Sequence, residues 1–232
     1  MPEVVVVIPA GGRGTRLKRL LPKQFAPLGN ATMLDHAVAA FQALWEVDSI
    51  VVVVPSRFVR RTRAHLTRAG FDKVVAVVKG GRTRQDSVRN GLAACGTSTG
   101  IVLVHDAARP FVSRRLIRDV IRSAVRHGAA AAALPVKETI AMERPRRRGF
   151  LLDTPSRETL WTMQTPQGFR TEMLRRAQRR AQRAGFAGTD EASLVERLGI
   201  PVRIVPGDEW NIKITTPADM KLAQWLLKRL KR

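Results

Sequence analysis

The chain has 232 residues, 44% of them hydrophobic, enough for one full α/β core and too few for two, and no apolar run approaches the roughly 18 residues of a membrane helix. Its 41 Lys and Arg against 19 Asp and Glu give a formal charge of +22, a balance that raises nucleic acid as a partner. The basic residues are dispersed, however, and 5% aromatics with no tyrosine build no stacking platform, so a specific nucleic-acid site is not expected.

The first strand, Val4 to Ile8, is apolar without alternation, the pattern of a parallel strand buried on both faces. Its start by residue 4 leaves no room for a cleavable leader, so a soluble, cytoplasmic chain with no membrane partner is the expectation. The strand runs into Pro9-Ala10-Gly11-Gly12-Arg13-Gly14-Thr15-Arg16-Leu17, and the loop closes at Pro22-Lys23-Gln24-Phe25. Such a loop leaves the carboxyl edge of the sheet, where open α/β sheets bind ligands. Gly11, Gly12 and Gly14 lack a Cβ and let backbone N–H groups press against an anion, while Arg16 and Lys23 bring full positive charge to the same place. A P-loop is excluded because no Gly-Lys pair follows at the required distance. A dinucleotide fingerprint is excluded too: Leu17 stands where its last glycine belongs, and the second strand ends in Pro55-Ser56 instead of a ribose-binding carboxylate. Two readings remain, a phosphate cradle and an ordinary strand-to-helix turn with solvated arginines.

Thr32 and Asp35 signal the start of a crossover helix, in which Met33, Leu34, Ala37, Val38, Phe41 and Leu44 recur at helical spacing. Strand two is Ile50 to Val54, an arginine-rich helix follows, and strand three is Lys73 to Val78. Gly80-Gly81-Arg82-Thr83-Arg84-Gln85-Asp86-Ser87-Val88 again opens from a strand tip onto a helix. It suits a second anion or base site with the Ser87 hydroxyl; on this segment alone a helix entry capped by Asp86 or Ser87 is the simpler account. Cys95 is the only cysteine, which excludes an internal disulfide, and its small neighbours suit a buried inert thiol. Strand four, Ile101 to Val104, delivers His105-Asp106-Ala107-Ala108-Arg109. Asp106 and Arg109 suit a hydroxyl and a phosphate, with space left by the alanines, unless the two pair with each other; His105 reads as a structural hydrogen-bonding residue.

Ser113 caps a helix that runs through Arg126, and Ala129 to Val136 makes strand five. From Lys137 to Leu160 the pattern breaks into a polar stretch with Pro145, Pro155 and Arg146-Arg147-Arg148, read as an arm or hairpin serving binding or subunit contact. Trp161 to Phe169 returns to the core, Thr171 to Ala184 is a helix, and Thr189 precedes another with acids in its first turn. Pro201 to Val205 is a strand, Trp210 to Thr215 a short edge strand presenting Lys213, and Pro217 opens a terminal helix. The expected architecture is a single α/β domain over residues 1–232, Rossmann-like, with a mainly parallel sheet, helices on both faces and the 137–160 arm projecting.

Taken together, PAGGRGTRL…PKQF, GGRTRQDSV, HDAARPF and QTPQGF…TDEAS…NIKIT resemble, in order and spacing, the 2-C-methyl-D-erythritol 4-phosphate cytidylyltransferase family over nearly the whole chain. The resemblance implies a nucleotidyltransferase-type fold that transfers CMP from CTP to 2-C-methyl-D-erythritol 4-phosphate and releases pyrophosphate, in the non-mevalonate isoprenoid pathway. It also implies Mg²⁺ or another divalent cation, and a homodimer through the arm. By the same resemblance Pro9, Ala10, Gly11, Gly12, Gly14, Arg16 and Lys23 form the triphosphate loop, with Arg16 and Lys23 at its catalytic cationic positions. Gly80, Gly81 and Ser87 match the segment that holds the cytosine, and Ala107 is a further nucleotide-binding position. Asp106 and Arg109 match the strand-tip pair near ribose, metal and substrate, the metal contact of Asp106 being indirect. Arg157, Thr165, Thr189 and Lys213 match positions on the methylerythritol phosphate, Arg157 coming from the partner's arm. Two features depart from the family: Gly11 stands where alanine is commoner, and the overall basicity is unusual.

The chemistry agrees, because a phosphate monoester with a second pKa of about 6 is already an anionic nucleophile and needs no Ser-His-Asp or Cys-His set. Two rivals remain. Ribitol 5-phosphate cytidylyltransferases share the loop and QTPQ, whereas the HDAARP alanines and TDEAS favour methylerythritol phosphate. A basic nucleic-acid-binding module explains +22 directly and leaves the glycine loops and Lys23 without a role.

Overall fold

A run of valines carries no polar group to face water, and β1 (Val4–Pro9) is buried along its whole length. The computed structural model describes residues 2–11 and 22–230. After β1 come the short strands β2 (Pro27–Leu28) and β3 (Ala31–Thr32), then α1 (Met33–Gln42), β4 (Ser49–Val54), α2 (Val59–Arg68), β5 (Val74–Lys79), α3 (Arg84–Ala93) and β6 (Ile101–Val104). The chain continues through α4 (Arg114–His127), β7 (Ala129–Pro135), β8 (Met142–Glu143), β9 (Leu151–Asp153) and β10 (Trp161–Arg170). It ends with α5 (Thr171–Arg183), α6 (Glu191–Glu196), β11 (Arg203–Pro206) and α7 (Pro217–Leu230).

Seven strands form the central sheet in the order β11-β7-β10-β6-β1-β4-β5. Every pairing is parallel except those of β10, which runs antiparallel between β6 and β7. Side chains of a strand alternate between faces, so both faces must be covered when all of them are apolar. Val4, Val6 and Ile8 pack with α1, α2 and α4, and Val5 and Val7 with α3, α5 and α6. Gly91 shows how closely a helix approaches: a Cβ there would lie 2.4 Å from Val7 Cγ1. The expected α/β architecture is thus present, with an antiparallel strand added in its interior.

Local signals account for most helix starts. Thr32 and Asp35 form a reciprocal capping box at α1, and the Ser113 hydroxyl accepts the Leu116 N–H at α4. Thr189 precedes α6 as expected, one residue before its cap Asp190, whose side chain accepts the Ser193 N–H at 2.9 Å. Two local expectations need correction. The cap of α3 is Thr83, in a box with Asp86, and neither Asp86 nor Ser87 takes that place. Trp210 to Thr215 is not a strand: the Asn211 carbonyl accepts from the Arg109 guanidinium and the Ile214 N–H donates to Ala108, so its backbone is satisfied by loop contacts.

The segment expected to form an arm contains the hairpin β8–β9, a two-stranded sheet apart from the main one and exposed on all its residues. No helix among the described residues is long and apolar enough to cross a membrane.

Candidate functional site

Parallel strands deliver their carboxyl ends to one edge, and backbone bonds beyond the strands hold those ends together. Ala10 donates to Val53 at 2.7 Å, Gly80 to Val54 at 2.8 Å, and Ala107 to Pro9 at 3.4 Å. Gln24 is buried and donates to the Ala10 carbonyl, tying the chain that returns from the loop to the strand tip it left. Gly12, Gly14 and Arg16 lie outside the described residues. Lys23 opens the short 3-10 turn Lys23–Phe25 that carries Gln24.

The tip of β1 meets the first turn of α3 at Gly11 and Ser87. A Cβ on Gly11 would stand 3.5 Å from Ser87 Oγ, ordinary contact, so alanine fits there. Ser87 Oγ accepts the Gly81 N–H at 3.1 Å and donates to the Thr83 carbonyl at 2.9 Å, folding the paired glycines over the start of α3. Here the glycines are required: a Cβ on Gly80 would come within 2.9 Å of Ser87 Oγ, and one on Gly81 within 2.2 Å of Asp86 Cβ.

Beside this turn stands Asp106, the centre of an ionic cluster. Its Oδ1 accepts from Arg84 Nε at 2.9 Å and its Oδ2 from Lys213 Nζ at 2.7 Å. Arg84 extends the cluster to Glu191, with bonds of 2.9 and 2.8 Å from one guanidinium nitrogen to both carboxylate oxygens. Burial alone would raise the pKa of Asp106, but Arg84 and Lys213 outweigh it and hold the carboxyl well below the usual carboxylate range. For Glu191, burial wins and its pKa rises. Burial would lower the pKa of Arg84, but Asp106 and Glu191 raise it above the ordinary arginine value.

Because β10 is antiparallel, Thr165 near its middle reaches the same edge. Its hydroxyl accepts the Asp106 N–H at 3.1 Å and lies 3.1 Å from His105 Nδ1. His105 is fully buried, with its other ring nitrogen 3.0 Å from the Arg109 carbonyl. Arg109 and Asp106 form no ion pair with each other; the Arg109 guanidinium donates to the carbonyls of Asn211 at 2.7 Å and Met163 at 3.2 Å. Arg109 is therefore a strut under the segment that presents Lys213, and Ala107 is buried between the two strand tips.

Thr189 is exposed one residue before the cap of α6, while Arg157 lies in the arm and donates to the Lys137 carbonyl at 3.1 Å. Sequence reasoning missed Arg84, Glu191 and Gln24. Among the described residues no cluster of three or more His, Cys, Asp or Glu could cage a metal. Magnesium does not need such a cage, since one or two carboxylates with substrate phosphates and water suffice, and Asp106 is a carboxylate of that kind at the strand tip.

A mainly parallel sheet whose carboxyl edge gathers the β1 tip leading into a glycine-rich sequence, the Gly80–Gly81 turn and a carboxylate held between two cations defines an enzyme of the nucleotidyltransferase class. The model of the 2-C-methyl-D-erythritol 4-phosphate cytidylyltransferase family matches residues 4–229, and the chain belongs to that family. A relative from Pelotomaculum thermopropionicum, bearing that enzyme's name, is 45% identical over 98% of this chain and 95% of its own. Another of the same name, from Desulforamulus reducens, is 42% identical over 99% of this chain and 97% of its own. Among solved structures, the 4-diphosphocytidyl-2C-methyl-D-erythritol synthase of Anaerococcus prevotii aligns with a TM-score of 0.85 at 27% identity, covering 98% of this chain and 99% of that one. The 2-C-methyl-D-erythritol 4-phosphate cytidylyltransferase of Thermus thermophilus aligns with a TM-score of 0.77 at 38% identity, over 97% and 99% of the two chains.

Proposed function

We propose that the protein transfers CMP from CTP to 2-C-methyl-D-erythritol 4-phosphate, giving 4-diphosphocytidyl-2-C-methyl-D-erythritol and pyrophosphate in isoprenoid synthesis. The observation that carries this reading is the pair of Asp106 and Lys213, 107 positions apart and 2.7 Å from each other beside the Gly80–Ser87 turn. A carboxylate for hydroxyls and an ammonium for a phosphate suit a polyol phosphate.

The substrate phosphate oxygen attacks the α-phosphorus of CTP; the new O–P bond forms as the bond to the β-phosphate oxygen breaks, and pyrophosphate leaves with that electron pair. No proton need be removed from the nucleophile, so the protein's task is to hold two polyanions together and stabilise the charge that develops. Arg16 and Lys23, with the N–H groups of the turn formed by Pro9, Ala10, Gly11, Gly12 and Gly14, take the triphosphate and leaving-group charge. Gly80, Gly81 and Ser87 seat the cytosine, and Ala107 contacts the nucleotide. Lys213 and Arg157 take the substrate phosphate, and Asp106, Thr165 and Thr189 its hydroxyl side, with Arg109 fixing the segment that carries Lys213. Bound with CTP, Mg²⁺ would neutralise phosphate charge, with Asp106 holding its water.

The reading includes a homodimer through residues 137–160, with Arg157 acting in trans, and a cytoplasmic location. The hairpin supports the former: Ile140, Met142, Phe150, Leu151 and Leu152 are 42–67% exposed, an apolar surface that a second copy would cover. Pyrophosphate release with CTP, Mg²⁺ and each sugar phosphate in turn is the test. Turnover with methylerythritol phosphate is expected; turnover with ribitol 5-phosphate alone, or with neither, overturns the reading.

A further inference from the structure

We infer that Arg84 is the positioning residue that joins the cytosine-side turn to the sugar-phosphate side of the site; the inference rests on the function proposed above. Arg84 is the first residue of α3, where the helix dipole disfavours a cation. Its side chain turns away from the helix and spans two carboxylates that are 22 and 107 positions distant in sequence. Nε takes Asp106 Oδ1, and a single terminal nitrogen takes both oxygens of Glu191. An ammonium is a point charge and cannot span the two carboxylates with a rigid fork.

Two consequences follow from these bonds. Arg84 holds Oδ1, and in the free protein Oδ2 holds Lys213. Substrate therefore meets a carboxylate whose rotation is already fixed, and Lys213 leaves Oδ2 for the incoming phosphate as a hydroxyl takes its place. The second consequence concerns Glu191, which opens α6 next to Asp190 and Thr189 and is almost wholly buried. A buried carboxylate needs a partner, so Arg84 anchors the Thr189 segment against α3. The cytosine-side turn has its own supports in the Thr83–Asp86 box and the Ser87 hydroxyl, which do not pass through Arg84. Losing Arg84 should therefore loosen the sugar-phosphate side and spare the nucleotide side.

The test compares Arg84→Lys with Arg84→Gln/Glu191→Gln, the second removing the buried charge that Arg84→Lys leaves poorly paired. Thermal midpoints report folding, and initial-rate kinetics give KM for each substrate. In whichever variant is folded, KM for methylerythritol phosphate should rise about tenfold or more, the loss of a charge-assisted bond, with KM for CTP within about threefold of the parent. A merely structural role would reduce the active fraction and lower kcat with both KM values unchanged. That result, or parent-like kinetics in a folded variant, overturns the inference. Absence of turnover in the parent protein would instead overturn the proposed function.

Discussion

Acid should destabilise this protein through His105 before it reaches the carboxylates. The imidazole is fully buried, edge-on to Phe41 with ring centroids 5.0 Å apart. The Arg109 carbonyl can only accept, so Nε2 carries the proton, and Nδ1 then accepts from the Thr165 hydroxyl. That hydroxyl already accepts the Asp106 N–H, which leaves its own hydrogen for Nδ1. A proton on Nδ1 would displace that hydrogen and charge a ring shielded from solvent. Burial accordingly pushes the pKa of His105 from 6.5 down to about 4, although the neighbouring Asp106 favours the charged form.

Between those two values the unfolded chain binds the proton and the folded one does not, so stability is full above about pH 6.5 and falls as pH drops towards about 4. At 1.36 kcal/mol per pH unit the full loss is about 3 kcal/mol, of which about 2 kcal/mol falls between about pH 7.5 and about pH 5. Asp106 adds to the loss only as pH falls through the carboxylate range. Glu191 opposes it, because a raised carboxyl pKa contributes stability that is lost as pH rises. The comparison that isolates the imidazole is therefore guanidinium unfolding of the parent and of His105→Gln, whose amide reaches the same carbonyl, at the two pH values. The parent should lose about 2 kcal/mol more than the variant. Equal losses would refute the argument, as would an NMR titration that finds His105 protonating near its ordinary pKa.

Three further outcomes follow from the loops. If Lys23 takes leaving-group charge as proposed, Lys23→Ala should lower kcat by about 10²–10³-fold at an unchanged thermal midpoint; near-parent turnover would remove Lys23 from that role. Gly11→Ala should be silent in stability and in KM for CTP, because its Cβ meets Ser87 at ordinary contact distance. Gly81→Ala, whose Cβ would overlap Asp86, should cost about 1–3 kcal/mol in unfolding and raise KM for CTP.

What could be read ahead of the structure divides by range along the chain. The Thr32–Asp35 box, the Ser113 cap and the doubly buried strands depend on neighbours within a few positions, and the sequence pattern carries them. The box at Thr83 carries the same signature as the one at Thr32, yet the paired glycines beside it drew the reading towards Asp86 and Ser87. Trp210 to Thr215 alternates like a strand, but its fully buried residues are Asn211 and Ile214, three apart, because the segment packs onto the β6 tip and not into the sheet. The interior position of β10 is a property of sheet order, which no local pattern encodes.

The site shows the same division more sharply. Asp106 and Lys213 could be named because each stands in a recognisable segment, but their bond could not. Arg84 was one of 41 basic residues with nothing in its immediate neighbours to single it out. Its distinction comes from two carboxylates that arrive from other elements, one of them with no access to water. Even a cation at the start of a helix, against the dipole, does not mark it, since α4 also begins with an arginine, Arg114. In so arginine-rich a chain, Arg84 and Arg109 are separated from the cations that merely solvate the surface by the buried carboxylates or carbonyls they meet, and only the three-dimensional arrangement supplies those.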